Sequence, residues 1–295
     1  MNILITGING SLGQEIARLI LEKDYKLFAI VRENQINHTK NKFDKVTSVI
    51  GNSKKDVSNL LSKEPIDSVI HCSTNYGHKS KLAKIINDNV VFPINLLESC
   101  FDNDVPLFIN TDTFLNKGSI KYKKLHHYAN TKKSFLNWLD NEGQTRIVTL
   151  RLEHTYGPND REQKFVSKAI NDIALKKIPC FPATFGEHER DFIDVRDAAL
   201  AYMTVLENKL RIKQNVYEIG TGIPTKIKDC LELIKSISKS QTKIDFGSIP
   251  LKPEDNYTSY SNSNFNSDFS WKCQISLNSG LSHYIKVKQT LVQCY

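Results

Sequence analysis

The stretch Thr6–Gly13, with the sequence TGINGSLG, decides the fold of this chain of 295 residues. It follows an apolar run, Asn2–Thr6, and it opens Leu12–Glu22, where apolar residues recur at helical spacing. Glycines in such a strand-to-helix turn let the backbone approach a pyrophosphate, which the N–H groups of the helix N-terminus attract. The placement therefore predicts a dinucleotide-binding loop. Its candidate cofactor contacts are Gly7, Asn9, Gly10, Ser11, Leu12 and Gly13.

From the glycine loop to Leu152, short apolar runs alternate with amphipathic stretches. The predicted strands are Lys26–Val31, Val46–Ile50, Asp67–Cys72, Leu107–Asn110 and Arg146–Leu152. The predicted helices are Asn87–Cys100, with Pro93 near its start or at a kink, and Tyr128–Leu139. This alternation predicts an α/β fold, a Rossmann-type doubly wound parallel sheet with helices on both faces.

The pattern changes after Gly157-Pro158. We therefore expect a dinucleotide-binding domain over residues 1–156, with strand and helix returns from about 190 to 222, and a smaller C-terminal α/β part over 157–295. The later predictions are a helix at Glu162–Leu175, a loop at Ile178–Glu189, a strand and helix in Arg190–Leu206, a strand at Val216–Gly220, a helix at Asp229–Ser238 and an irregular loop from Pro250 to Ser270.

Composition excludes several classes of protein. Lys and Arg number 40 and Asp and Glu 32, a net charge of +8, but the lysines are dispersed, so no nucleic-acid partner is expected. No apolar stretch is long enough for a membrane span, and the chain opens with a strand where a secreted protein has a signal peptide. The cysteines form no C-x-x-C pair, so we expect reduced thiols in the cytoplasm and no metal site; they are Cys72, Cys100, Cys180, Cys230, Cys273 and Cys294.

Tyr128 and Lys132 form a Y-x-x-x-K pair on the helix predicted after the Leu107–Asn110 strand. Residues four apart share a helix face, so the two side chains lie side by side. A free tyrosine has a pKa near ~10, and a neighbouring ammonium lowers it toward neutrality. The pair is therefore a candidate proton donor to a reacting oxygen.

The G-x-x-G-x-x-G loop and the Y-x-x-x-K pair together resemble the extended short-chain dehydrogenase/reductase family, the NAD-dependent epimerases and dehydratases. Further segments similar to family signatures extend the resemblance over nearly the whole chain. They are Asp67–Ser73, Asn89, Arg151–Pro158, Arg190–Asp197, Tyr217–Gly222 and Phe269–Trp271.

The resemblance implies roles for single residues. Thr111 would orient the substrate oxygen that Tyr128 protonates, and Lys132 would lower the tyrosine pKa and hold the nicotinamide ribose. Cys72 and Ser73 would lie near the cofactor. The C-terminal part would bind a nucleotide-diphosphate sugar, and the further substrate contacts would be Asp112, Thr113, His154 and Arg190.

Two of these positions depart from the family pattern. Thr113 stands where the dehydratases carry a glutamate base, which argues against dehydration. His154 replaces an asparagine that often touches the sugar diphosphate, so it is either a substitute hydrogen-bond donor or a histidine of the core.

Arg32 indicates the cofactor. A NAD enzyme usually carries an acid at the end of the second strand, but this chain has Val31 followed by Arg32. An arginine there accepts a 2′-phosphate, although a surface arginine beside Glu33 is the alternative. We therefore favour NADP(H) over NAD(H).

Ile109–Lys117 and Tyr128–Leu139 resemble reductases of 4-keto-6-deoxy nucleotide sugars. The expected function is an NADPH-dependent reductase of such a sugar, with a CDP-linked sugar favoured, in surface-polysaccharide and lipopolysaccharide biosynthesis. A homodimer is expected. The alternatives are a NAD-dependent nucleotide-sugar epimerase and a non-catalytic NADP-binding protein.

Overall fold

The central strand of the molecule is β1 (Asn2–Thr6), which lies inside a seven-stranded sheet. The computed structural model describes residues 1–118, 125–139, 145–262 and 264–293. The other strands of the sheet are β2 (Lys26–Ile30), β3 (Ser48–Ile50), β4 (Ser68–His71), β5 (Leu107–Thr113), β6 (Arg146–Leu152) and β11 (Val216–Ile219). Their order, β3-β2-β1-β4-β5-β6-β11, is that of a Rossmann fold.

Parallel pairing on both sides explains why the centre of β1, residues 3–5, is apolar. Ile5 lies between Ala29 of β2 and Ile70 of β4, and both pairings are parallel. Helices cover both faces of such a sheet, so Ile3, Leu4 and Ile5 are fully buried. The predicted doubly wound parallel sheet is confirmed. Its strand order reverses between β1 and β4, and ligands of this fold bind at the carboxyl ends of strands beside that point.

Helices follow these strands, and those over residues 11–22, 92–102, 126–136 and 195–207 lie where the sequence pattern predicts helices. The helices are α1 (Ser11–Glu22), α2 (Ile36–Lys42), α3 (Lys54–Leu61), α4 (Leu82–Ile86), α5 (Phe92–Asp102), α6 (His126–Leu136) and α8 (Val195–Glu207). The predicted start at Asn87 is wrong, because α4 and α5 are joined by a π-helical turn over Asn87–Val91. The wider turn accommodates Pro93, which has no N–H and whose ring would crowd an α-helical carbonyl.

Among the residues that the structure describes, three two-stranded sheets lie outside the main one. Parallel pairs join β7 (His154–Tyr156) to β10 (Phe192–Asp194) and β8 (Cys180–Ala183) to β13 (Lys243–Phe246), and an antiparallel pair joins β9 (Glu189–Arg190) to β12 (Thr225–Lys226). The prediction of a loop over Ile178–Glu189 is wrong where β8 forms. Its Pro182 is compatible with a strand that has one neighbour.

The remaining helices are α7 (Phe165–Ala169), α9 (Ile227–Ser238), α10 (Phe265–Phe269) and α11 (Leu277–Gln293). The prediction of an irregular loop up to Ser270 is wrong at α10. Phe265 and Phe269 are four residues apart and both pack edge-on against the ring of Tyr217, so the short helix is stabilised by burial.

The chain divides into two compact units. Unit 1 comprises the described residues of Met1–Arg151, Ala199–Tyr217 and Asn264–Trp271, and unit 2 comprises those of Leu152–Ala198, Glu218–Ser263 and Lys272–Tyr295. Unit 2 has its own apolar core, which includes Ile170, Leu231, Ile234 and Leu281. Within the described ranges, no helix is long and apolar enough to cross a membrane.

Candidate active site

The turn between β1 and α1 is held by two glycines that accept no side chain. Gly7 has a φ of +78°, and a Cβ there would lie 2.7 Å from the backbone nitrogen of Ser73. A Cβ at Gly13 would lie 2.1 Å from the Gly7 carbonyl oxygen. Both glycines are therefore required for close packing of the turn against α1 and the end of β4.

Gly10 differs from these two because it faces outward. It is exposed, and a Cβ there would meet only the Gly7 carbonyl oxygen, at 3.2 Å. Gly10 is the N-cap of α1 and supplies no side-chain cap, and the first turn of α1 carries no acidic residue. The first N–H groups of α1 are thus available to bind an anion.

Asn9 connects this loop to α2. Its Nδ2 donates to the Thr39 hydroxyl at 2.8 Å, and that hydroxyl donates to the Gln35 carbonyl. The Asn9 Oδ1 atom is buried and has no partner among the described residues. It is an acceptor that a bound molecule with a donor group could fill.

Cys72 and Ser73 follow β4, next to the glycine turn. The Ser73 backbone N–H donates to the Thr6 hydroxyl at 3.1 Å, which fixes the end of β4 against β1. The Thr6 hydroxyl also lies 2.9 Å from Nδ1 of His71. Burial raises the pKa of the Cys72 thiol to about 11, so it remains protonated at neutral pH.

Tyr128 and Lys132 lie on one face of α6, as predicted, and both are buried. The Tyr128 ring packs on that of Tyr76, with 4.7 Å between the centroids. Burial lowers the pKa of the Lys132 ammonium, and the negative charge of Asp112 partly offsets this effect. The electrostatics of Lys132 therefore depend on β5 as well as on its own helix.

Thr111, near the end of β5, is bound on two sides. Its hydroxyl donates to the Cys72 sulfur at 3.3 Å and lies 2.7 Å from the phenol oxygen of Tyr202. Tyr202 belongs to α8 and is fully buried. Sequence reasoning did not select Tyr202, because its neighbours in the sequence are apolar and nothing there indicates a polar contact.

Asp112 lies in a buried ion pair. Its Oδ2 accepts a hydrogen bond from Arg151 Nε at 2.8 Å and its Oδ1 accepts one from Asn116 Nδ2 at 2.7 Å. Arg151 is at the end of β6, so the carboxylate ties β5 to β6. Thr113 is buried and its hydroxyl accepts from the Leu115 N–H at 3.4 Å, as the cap of a short turn. Substrate contacts of Asp112 and Thr113 remain predictions.

In unit 2, Arg190 is almost fully buried and holds the segment around residue 257. Its guanidinium donates to the carbonyl oxygens of Asp255, at 2.7 Å, and of Tyr257. The guanidinium also stacks on the Tyr257 ring, 3.5 Å from its centroid. A contact between Arg190 and a diphosphate remains a prediction.

His154 lies beside Glu153, with 3.7 Å between its Nδ1 and the Oε2 of that glutamate. Burial lowers the pKa of the His154 imidazole, and the nearby Arg190 charge lowers it further, against the opposite effect of Glu153. The ring is therefore neutral at neutral pH. Its proposed contact with a substrate is untested.

Asp191 was not selected from the sequence as a site residue, yet it organises the turn after β11. Its carboxylate accepts hydrogen bonds from the backbone N–H groups of Thr221, Gly222 and Ser261 and from the Thr221 hydroxyl. A signal was available in its position between the arginine and phenylalanine of the Arg190–Asp197 segment.

Among the described residues, no three His, Cys, Asp or Glu side chains cluster as metal ligands. Five cysteines of those residues are free, and Cys294 lies outside them.

Residues 3–220 match the model of the NAD dependent epimerase/dehydratase family. The chain belongs to this family. It is therefore an enzyme of the NAD(P)-dependent epimerase/dehydratase type, and the resemblance inferred from its motifs is confirmed.

Two relatives in the epimerase/dehydratase family match almost end to end. CDP-abequose synthase of Salmonella typhimurium strain LT2 is 30% identical over 295 residues, covering 96% of this chain and 97% of that protein. CDP-abequose synthase of Salmonella muenchen is 25% identical over 296 residues, covering 97% and 98%.

Solved structures of UDP-glucose 4-epimerases share the fold. UDP-glucose 4-epimerase of Thermotoga maritima, solved with UDP-glucose, superposes with a TM-score of 0.81 at 19% identity, covering 99% of this chain and 100% of that one. UDP-glucose 4-epimerase of Stenotrophomonas maltophila, solved with NAD and formylated UDP-arabinopyranose, gives 0.82 at 14% identity, covering 100% of both chains.

The residues present fit the cofactor that the epimerase/dehydratase family uses. The outward-facing Gly10, the uncapped N-terminus of α1 and the unpartnered Asn9 oxygen form a cradle suited to a pyrophosphate and an adjoining donor group. Arg32 follows β2 and is exposed. Preference for NADP(H) over NAD(H) rests on this arginine and remains a proposal.

Proposed function

We propose that the chain is an NADPH-dependent reductase of a 4-keto-6-deoxy nucleotide sugar, with a CDP-linked sugar favoured, that serves surface-polysaccharide biosynthesis. The observation that carries the proposal is the similarity to two CDP-abequose synthases over nearly the full length of both proteins. It agrees with the resemblance of Ile109–Lys117 and Tyr128–Leu139 to such reductases.

The proposed chemistry uses three residues of unit 1. When bound, NADPH supplies the hydride for the keto carbon. Tyr128 donates its phenol proton to the sugar oxygen as negative charge develops there, which is general acid catalysis. The buried Lys132 ammonium stabilises the resulting phenolate, and the Thr111 hydroxyl donates a hydrogen bond to the same sugar oxygen.

Binding groups are proposed for both units. In unit 1, the cofactor is held by the Gly7–Gly13 loop, Arg32, Cys72, Ser73, Tyr128 and Lys132. In unit 2, His154 and Arg190 bind the nucleotide diphosphate. Asp112 and Thr113 complete the proposed substrate set.

The buried environment of β5 argues against a dehydratase. Thr113 carries no carboxylate, so a base for removing a carbon-bound proton is missing at that position. Both oxygens of Asp112 already accept hydrogen bonds, from Asn116 and Arg151. The Asp112 carboxylate is therefore already engaged in joining β5 to β6.

The test is an assay of NADPH oxidation with a CDP-linked 4-keto-6-deoxyhexose, followed by identification of the sugar product. We expect stoichiometric NADPH consumption and a 4-hydroxyl product, with slower turnover on NADH. The matched control is the corresponding UDP-linked keto sugar, which should turn over more slowly. Absence of net NADPH oxidation with every keto sugar would overturn the reductase proposal.

The second candidate is a NAD-dependent nucleotide-sugar epimerase. It is favoured by the UDP-glucose 4-epimerase neighbours and by a UDP-arabinose 4-epimerase of Oryza sativa, 31% identical over 42% of this chain. An epimerase would release tightly bound NAD on denaturation and interconvert UDP-glucose or UDP-arabinose with no net change in cofactor. Both outcomes differ from those of the reductase.

We further propose a cytoplasmic homodimer. The free cysteines Cys72, Cys100, Cys180, Cys230 and Cys273 fit a reducing compartment. Light scattering on the eluting protein would measure twice the chain mass for a dimer. Cell fractionation would find the protein with cytosolic markers.

A further inference from the structure

Three side chains of unit 1, those of Thr111, Cys72 and Tyr202, are in contact with Thr111 at their centre. Its hydroxyl donates to the Cys72 sulfur at 3.3 Å and lies 2.7 Å from the phenol oxygen of Tyr202. Thr111 and Tyr202 are 91 residues apart in the sequence, and their contact joins β5 to α8. Tyr202 is completely buried, so its hydroxyl does not exchange this contact for water.

Each hydroxyl has a single proton, and either oxygen can be the donor in the contact between Thr111 and Tyr202. While Thr111 donates its proton to the Cys72 sulfur, its oxygen can only accept in that contact, and the phenol is then the donor. Burial raises the pKa of Tyr202 well above the ordinary value, so the phenol keeps its proton throughout the working pH range. Tyr202 therefore always has a proton that it can donate to the Thr111 oxygen.

The bond from Thr111 to Cys72 is the weaker of the two. A thiol sulfur is a weak acceptor, whereas an oxygen that gains negative charge accepts a much stronger hydrogen bond. The Thr111 proton can therefore turn from the sulfur to a substrate oxygen while the phenol of Tyr202 still holds the threonine oxygen.

Packing alone does not require the Tyr202 hydroxyl. Its neighbours along α8 include Ala199 and Ala201, both fully buried, and a phenylalanine ring would occupy the same space. The polar atom is buried at a cost that hydrogen bonds offset. Its oxygen lies 2.7 Å from that of the threonine that the proposed function places at the reacting oxygen.

We propose that Tyr202 is a positioning residue that holds the Thr111 oxygen and leaves the Thr111 proton directed toward the substrate oxygen. This inference rests on the proposed function, in which Thr111 binds the reacting oxygen. Tyr202 itself touches neither substrate nor cofactor in this proposal.

The test is a double-mutant cycle of Tyr202→Phe and Thr111→Val, assayed as NADPH-dependent reduction of a CDP-linked 4-keto-6-deoxyhexose. We expect Tyr202→Phe to lower kcat about three- to tenfold, as loss of one neutral hydrogen bond does, with KM unchanged. In the Thr111→Val background it should cause no further loss. In the Thr111→Ser background, which keeps the hydroxyl, the loss should return.

Two further measurements separate positioning from folding. Binding of CDP to each variant without cofactor, measured by calorimetry, should stay unchanged. Tyr217→Phe is the matched control, because Tyr217 is equally buried and its phenol bonds to Asp268 and to backbone N–H groups. It should lower the melting temperature without the kcat coupling to Thr111.

An equal loss from Tyr202→Phe in the wild-type and Thr111→Val backgrounds would overturn the inference, since Tyr202 would then act independently of Thr111. Native kcat in Tyr202→Phe, with Thr111→Val impaired, would overturn it too while leaving the proposed function standing. Native kcat in Thr111→Val would instead contradict the proposed function, and with it the role of Tyr202.

Discussion

At the scale of single residues, burial and partners decide which side chains of the candidate site are ready for chemistry. Tyr128 and Lys132 are both buried on one face of α6. Asp112 is equally buried, but its two oxygens are bound by Asn116 and Arg151. Residue type alone does not distinguish a reactive carboxylate from one that ties two strands together.

Tyr128→Phe should lower kcat by about 10²- to 10⁴-fold, because general acid catalysis to the developing oxyanion is lost. Affinity for NADPH, measured by fluorescence titration, should stay within about twofold, since the phenol proton is needed only in the transition state. Tyr25→Phe is the control and should keep native kcat. Tyr25 precedes the N-terminal end of β2, whereas the candidate site lies at the carboxyl ends of the strands. Near-native turnover of Tyr128→Phe would remove Tyr128 as the acid.

Arg32→Ala should weaken NADPH roughly 10- to 100-fold and leave NADH almost unchanged, because only NADPH carries the 2′-phosphate that a charge-assisted contact would bind. Both cofactors are titrated against both proteins. Arg18→Ala removes the same charge from an arginine that pairs with Glu15 and Glu22 on α1, and it should change neither affinity. Equal weakening of both cofactors by Arg32→Ala would contradict the NADP assignment.

At the scale of elements, the glycine turn joins β1, α1 and the end of β4, and its three glycines differ in their surroundings. Gly7 and Gly13 allow backbone to approach backbone, whereas Gly10 keeps the outer side of the loop open. The ion pair of Asp112 and Arg151 joins β5 to β6. The negative charge of Asp112 also raises the pKa of Lys132 on α6.

Gly13→Ala and Gly10→Ala should separate folding from binding. The Cβ at residue 13 would collide with the Gly7 carbonyl, so Gly13→Ala should cost about 1–3 kcal/mol or more in the free energy of unfolding. Gly10→Ala should lower the melting temperature much less but weaken NADPH and NADH equally, because its methyl group lies on the side of the loop where the pyrophosphate is proposed to bind. Equal melting temperatures for the two variants would contradict this division.

Asp112→Asn should shift the alkaline limit of activity to lower pH. The carboxylate of Asp112 holds the pKa of Lys132 up against the opposing effect of burial. Without it the ammonium loses its proton at lower pH, and activity that needs the ammonium declines earlier as pH rises. The pH profile of kcat measures this, and Asn116→Ala, which removes a partner of Asp112 but no charge, should leave the limit in place.

At the scale of the whole molecule, the two units carry different parts of the proposed task. The glycine loop, Thr111, Tyr128 and Lys132 belong to unit 1, and His154 and Arg190 belong to unit 2. Each unit has buried apolar residues of its own, with Leu4, Phe28 and Phe108 in one and Ile173, Leu231 and Tyr284 in the other. We therefore expect each ligand to stabilise mainly the unit that is proposed to bind it.

Hydrogen exchange measured by mass spectrometry tests this assignment. NADPH at 100 times its Kd should slow exchange in the Thr6–Gly13 loop by up to about 100-fold, because ligand binding adds to the free energy of opening. CDP alone should slow exchange around β9 and β10. Protection by NADPH confined to unit 2 would contradict the assignment.

The sequence by itself determined the features that depend on local signals. The apolar run of β1, the glycines and the amphipathic α1 are adjacent in the chain, and they predicted both the fold and the cofactor loop. Tyr128 and Lys132 were predictable for the same reason, since a spacing of four residues fixes a shared helix face. The boundaries of β6, and the presence of a strand and a helix within Arg190–Leu206, also followed from hydrophobic periodicity.

Only the tertiary structure decided the features that join distant segments. β8 and β13 are short strands with weak patterns of their own, and each exists because the other supplies its hydrogen bonds. α10 forms because two phenylalanines are buried against Tyr217, and the bonds from Tyr202 to Thr111 and from Arg151 to Asp112 connect residues far apart in the chain. A buried polar group is stabilised by the partner that the fold brings to it, and no local pattern in the sequence encodes that partner.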